Sequence, residues 1–65
     1  MKEYQQRVCD EALELQDKLN KLLTFQRSFM FADVPSLEQQ RLFSQAKAMV
    51  KYYAILCERI ANFPE

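Results

Sequence analysis

Glycine is absent from this chain, and so are histidine and tryptophan. Without glycine there is no loop of the kind that lets backbone amides cradle a phosphate. Without histidine the chain lacks the commonest general acid–base and the commonest neutral metal ligand. No nucleophile motif is present either, so the residues point away from an enzyme. Cysteine occurs only as Cys9 and Cys57. Two thiols are too few for the disulfide framework of a small secreted domain, and zinc needs about four ligands. An antiparallel hairpin would set Cys9 and Cys57 at similar heights, so a bridge is conceivable. The expectation is two small buried hydrophobes in a reducing cytoplasm. No run approaches the roughly 18 uncharged apolar residues of a membrane span. The start, Met1-Lys2-Glu3-Tyr4, is not followed by the apolar run of a signal peptide. A soluble protein without metal or cofactor is expected, in the cytoplasm of the cell that makes it.

Proline is scarce too, found only at Pro35 and Pro64. Between them Leu42, Ala46, Met49, Tyr53, Leu56, Ile60 and Phe63 recur at steps of 4 and 3, the signature of a seam along a long helix. A second row, Phe43, Val50, Ala54, Cys57 and Ala61, keeps the same rhythm further round the cylinder. Before Pro35 an apolar stripe runs through Tyr4, Val8, Ala12, Leu15, Leu19, Leu22 and Phe29, with polar Gln26 on the same line. Glu3–Arg7, Glu14–Lys18 and Asp17–Lys21 are acid-before-base pairs four apart, each worth about 0.2–0.5 kcal/mol to a helix.

These patterns predict an all-α fold: an antiparallel two-helix hairpin, assembled with further copies into an oligomeric helical bundle. The whole chain, residues 1–65, is read as one helical-hairpin domain, with a helix over about 3–31, a turn at 32–36 and a helix over about 37–63. Pro35 biases Val34 away from helix. Ser36 can cap the second helix with Gln39 reaching back, or Asp33 can cap it with Pro35 in the first turn. Two apolar rows on one helix ask for two neighbours, and the chain supplies one. A homo-oligomer, dimer or higher, follows, with Phe43, Val50, Ala54, Cys57, Ala61, Phe31 and Ile55 as its expected interface. Phe25, Phe29, Met30 and Phe31 cluster before the turn; they either close the core or form an exposed docking tip.

Charge is balanced, nine basic against nine acidic, but segregated. Residues 18–51 hold six basic residues and two acids, and the remainder three basic residues and seven acids, so the halves carry +4 and −4. In a hairpin the closed half is positive and the open half negative. Antiparallel copies could pair through these halves, or the positive half could receive an anion. A net charge of zero argues against general nucleic-acid binding. The acidic run Asp10-Glu11-Ala12-Leu13-Glu14 spreads its carboxylates over more than one face and reads as solvated surface.

The candidate site is on the flank of the second helix. Gln45, Tyr52 and Arg59 sit seven apart on one line, with Tyr53 on the seam beside them. A tyrosine ring stacks on a base, a guanidinium grips phosphate, and an amide reads a base edge. Lys47 or Lys51 could add charge. In a symmetric oligomer the same groups would recur from another copy, giving a two-fold pocket for a small nucleotide. The alternative is that Tyr52 and Arg59 roof the seam with their apolar parts.

The pattern Tyr4-x-x-Arg7-Val8-x-x-Glu11-x-x-x-Leu15-x-x-Lys18, followed by Gln45-x-x-x-Met49-x-x-Tyr52-x-x-Ile55-Leu56-x-x-Arg59-Ile60-x-x-Phe63, resembles a family of very small bacteriophage proteins often named after a crAss-type phage gene product. Cys57, where a small residue is common, and the aromatic-rich turn depart from that pattern. The resemblance implies a phage accessory protein acting in the host cytoplasm. By analogy with other small helical phage oligomers, it implies a sponge that sequesters a cyclic nucleotide signal of host immunity. The other expectation is a protein–protein adaptor or inhibitor, docking on a host or phage protein, or modulating phage development, through Phe31, Ile55 or the aromatic turn.

Overall fold

A computed structural model describes residues 1–64. It contains α1 (Glu3–Gln26), a 3₁₀ turn (Phe29–Asp33) and α2 (Ser36–Ala61), and no strand among the described residues. The two helices, of 24 and 26 residues, lie antiparallel as a rod 49 Å long and 15 by 13 Å across. Among the described residues no helix is long and apolar enough to cross a membrane. Glu65, one acid of the negative half, lies outside the described residues.

The seam of α2 packs on α1 as its spacing predicts. Leu56 is fully buried and meets Val8, Ala12 and Leu15; Met49, Tyr53, Ile60 and Phe63 pack round them. Leu19 and Ala46 are buried toward the closed end. The second row is left largely uncovered: Phe43 is 47% and Val50 51% exposed, and Ala54, Cys57 and Ala61 are exposed too. Cys57 is therefore not a buried hydrophobe; it is an exposed free thiol, whereas Cys9 is half-buried and also free.

The first helix stops at Gln26, five residues before the expected end. Arg27 N–H is shared between Leu23 and Thr24 carbonyls at 3.3 and 3.2 Å, and Ser28 donates both its N–H (3.0 Å) and its Oγ (2.7 Å) to Phe25 O. A serine hydroxyl bonding back to the helix competes with the helical ladder, and Ser28 turns extended (φ −80°, ψ 153°). The break swings Phe31 back over the closed end, where it is buried and meets Phe25 and Phe43 edge-on at 5.7 and 5.4 Å. Phe31, expected at an interface between copies, is thus buried within its own chain. Phe29 leaves the α1 stripe and is 91% exposed, with Met30 at 60%. The aromatic cluster divides: Phe31 closes the core, while Phe29 and Met30 form a tip.

Neither expected cap is used at the start of α2. Pro35 occupies the cap position and has no N–H to satisfy. The Gln39 side chain does reach back, but as a donor, to Phe31 O (2.9 Å) and Val34 O (3.0 Å). Two other glutamines tie the rod together. Gln26 Nε2 donates to Leu42 O at 3.1 Å, and buried Gln5 accepts from Lys2 N–H at 3.0 Å while donating to Pro64 O at 3.1 Å. Gln39→Ala is expected to lower stability by about 1–2 kcal/mol, the net worth of two hydrogen bonds. Gln39→Glu is expected to cost at least as much, because an ionised carboxylate offers the carbonyls no donor. Urea denaturation reads both against exposed Gln40→Ala, which is expected to change little.

Candidate ligand-binding flank

Each helix presents two flanks beside the core seam. At about 100° per residue, Gln45, Tyr52 and Arg59 fall about 75° to one side of the α2 seam, and Phe43, Val50, Ala54, Cys57 and Ala61 about 95° to the other. The two rows therefore lie on nearly opposite flanks of the rod. The contacts agree. Leu23 of α1 joins Phe43, Ala46, Lys47 and Val50 around an apolar groove of about 570 Å³ on one side, while Tyr4 meets Phe63 edge-on at 5.8 Å on the other.

The Tyr52 flank has a floor from α1 that the sequence pattern did not reveal. Tyr4, Glu11, Lys18 and Phe25 stand seven apart on the side of α1 facing this flank. The bonds from Gln26 to Leu42 and from Gln5 to Pro64 fix the heights of the two helices. With that register, Lys18 stands level with Tyr52, Glu11 with Arg59, and Phe25 with Gln45. Tyr52 is 42% exposed, Glu11 is half-buried, and Lys18, Arg59 and Gln45 are exposed.

Of the three ion pairs expected along α1, only Asp17–Lys21 forms, at 3.0 Å; the other ion pair of the described residues is Glu38–Arg41, at 3.3 Å. Lys18 and Arg59 have no carboxylate within 4 Å among the described residues. Two cations without salt-bridge partners beside an aromatic ring are what an anionic ring-bearing ligand requires. Successive members of the α2 line are about 10.5 Å apart. A base stacked on Tyr52 can set its phosphate toward Arg59 or Lys18. Gln45 and Arg59, about 21 Å apart along the helix, cannot share one mononucleotide within a chain. The Gln45 amide leans on Met49 Sδ at 3.8 Å.

The structure does not bring the other candidates to this place. Lys47 lines the apolar groove on the far flank. Lys51 projects from the back of α2, away from α1, and Ile55 is 44% exposed on the outer side. Tyr53 lies in the seam, half-buried, and its phenol is raised above its ordinary value of 10.0, first by a side-chain hydrogen bond to Cys57, then by the negative charge of the Cys57 thiolate and by desolvation. It stays neutral through physiological pH and belongs to the core. No group of three or more acidic or cysteine side chains that could hold a metal ion occurs among the described residues.

Lys18 could have been suspected from its place seven residues after Glu11, but its pairing with Glu14 was the simpler reading. Only the register between the helices shows that it faces Tyr52. Glu11, beside Arg59, opposes an anion. Glu11→Gln is therefore expected to tighten binding of a nucleotide several-fold, and Lys18→Ala to weaken it about tenfold, the worth of roughly one charge-assisted contact. Calorimetric titration of the two variants checks both signs.

The fold and this flank can be set against known proteins. The family model described as Sequestin matches residues 2–62. An uncharacterised 7.5 kDa protein from the denB–rIIB intergenic region of Enterobacteria phage T4 is 42% identical over 60 residues, which are 92% of this chain and 94% of the phage protein. No solved structure matches. The T4 relative agrees with the resemblance to very small phage proteins.

Proposed function

The chain belongs to the Sequestin family, and from that premise we propose that it is a non-enzymatic phage accessory protein that counters host immunity by sequestering a small cyclic nucleotide signal. The family's name points to sequestration, and a phage relative supports a role in an infected bacterium. The observation that carries the chemistry is the Tyr52 flank, where an exposed ring is bordered by Arg59 and Lys18, neither held by a carboxylate among the described residues. Tyr52 stacks the base, and Arg59 and Lys18 hold phosphate. Each chain carries one such flank, so the expected stoichiometry is one ligand per chain.

The test is isothermal titration against a panel of cyclic di- and trinucleotides and ADP-ribose derivatives, with light scattering on the same sample. Sub-micromolar binding of one panel member at one per chain supports the reading. Silence across the panel from a folded protein overturns it. A second reading, an adaptor or inhibitor of a host or phage protein, draws on the turn, where Phe29 is 91% and Met30 60% exposed. Its signature is a specific partner recovered with the wild type and lost with Phe29→Ser, with no nucleotide bound.

A further inference from the structure

The flank opposite Tyr52 carries its own instruction. Its exposed row is graded by size, with Phe43 and Val50 toward the closed end and Ala54, Cys57 and Ala61 toward the open end. We propose that this flank is covered by a second copy of the chain, its α2 antiparallel to the first, with the two-fold axis at the level of residue 52. In that register Phe43 meets the partner's Ala61, and Val50 meets the partner's Ala54. In both pairs a large side chain falls on a small one, which is how facing helices interdigitate without voids, and Cys57 falls level with the aliphatic stem of the partner's Lys47. A parallel copy would stack ring on ring at one end and leave a gap at the other.

Two independent quantities agree. The antiparallel arrangement lays the +4 half of each rod on the −4 half of the other, whereas a parallel one sets like on like. The surface is also too large for a finished molecule. A compact monomer of 7.8 kDa is expected to expose about 4,400 Å², and this chain exposes 5234 Å². The excess is close to the roughly 800 Å² that each partner gives to a standard interface. The apolar groove of about 570 Å³ bounded by Leu23, Phe43 and Val50 would be filled in the process. Because this row lies on nearly the opposite side of the rod from Tyr52, the dimer keeps both Tyr52–Arg59 flanks open, one on each outer face. The nucleotide site is then a property of each chain and not of the seam between copies, and the inference stands without the nucleotide reading.

The experiment places a benzophenone-bearing phenylalanine at position 43 of the full chain, irradiates it, and maps the cross-linked peptide. Light scattering of the wild type and of Val50→Asp is run alongside. The inference predicts a dimer, cross-linked from position 43 to residues within one helical turn of the partner's Ala61, and a folded monomer for Val50→Asp. Val50 is half-exposed within one chain, so its replacement leaves the hairpin's own core alone, and circular dichroism confirms that it folds. A wild type that stays monomeric at millimolar concentration overturns the inference. So does a cross-link from position 43 to the partner's Phe43 region, or a Val50→Asp protein that keeps the dimer mass. Loss of nucleotide binding in Tyr52→Ala changes none of these readouts.

Discussion

Replacing Tyr52 and Arg59 together by alanine is expected to weaken nucleotide binding by roughly 10²–10⁴-fold and to leave the fold and the mass of the assembly unchanged. Stacking of a base on an aromatic ring is worth about 1–3 kcal/mol, and a hydrogen bond to a charged group about 1.5–3 kcal/mol. The two residues are about 10.5 Å apart along the helix and grip different groups of the ligand, base and phosphate, so their losses should nearly add. Neither side chain supports the hairpin's core, because both lie on the exposed flank. Titration of the single and double variants, with circular dichroism as the control, separates the outcomes. A double variant that binds as the wild type does removes the flank from consideration. One that unfolds shows that the ring and the guanidinium roof the seam instead.

Leu56→Ala is expected to have the largest effect on stability, about 2–5 kcal/mol. Leu56 is the one large side chain with no exposed surface among the described residues, and it sits where Val8, Ala12 and Leu15 converge. Ala12, directly in that cluster, is too small to move into the space a truncated leucine would leave. A domain of this size has only a few kcal/mol to lose, and each kcal/mol is worth about 4–8 °C in Tm. The variant should therefore melt at least about 8 °C lower, or be unfolded at 37 °C. Ile55→Ala, one residue away and 44% exposed, should change Tm by only a few degrees. Equal losses at the two positions would contradict the packing described. If copies assemble, both measurements depend on protein concentration and must be compared at one concentration.

The hairpin was legible because its signals are periodic. The steps of 4 and 3 from Leu42 to Phe63 placed the seam, and every member of it is buried or half-buried. The second row was equally legible as a row, and in the single chain it is largely uncovered, with Phe31 against Phe43 at its closed end. What was not legible lies in side chains whose role depends on what stands opposite. Gln5, Gln26 and Gln39 each bond a carbonyl distant in sequence, yet glutamine in a helix reads as surface. The end of α1 carries no glycine or proline; it is set by Ser28 and by Phe31 folding back onto Phe25 and Phe43. At the candidate site the α2 line was visible at a spacing of seven. Its complement on α1 was not, because Lys18 and Glu11 face it only once the register of the two helices is known. Lys47 was grouped with Tyr52 on nearness in sequence, and five residues of α-helix turn it to the far flank.

The central claim is that the protein holds its ligand without changing it. The most direct measurement loads the purified protein with the panel nucleotide that binds best, removes free ligand, denatures the protein by heat and identifies what is released by mass spectrometry. Sequestration predicts recovery of the same nucleotide, chemically intact, at one per chain. Release of a hydrolysed or rearranged product would contradict it, and so would a filtered complex that carries no nucleotide at all.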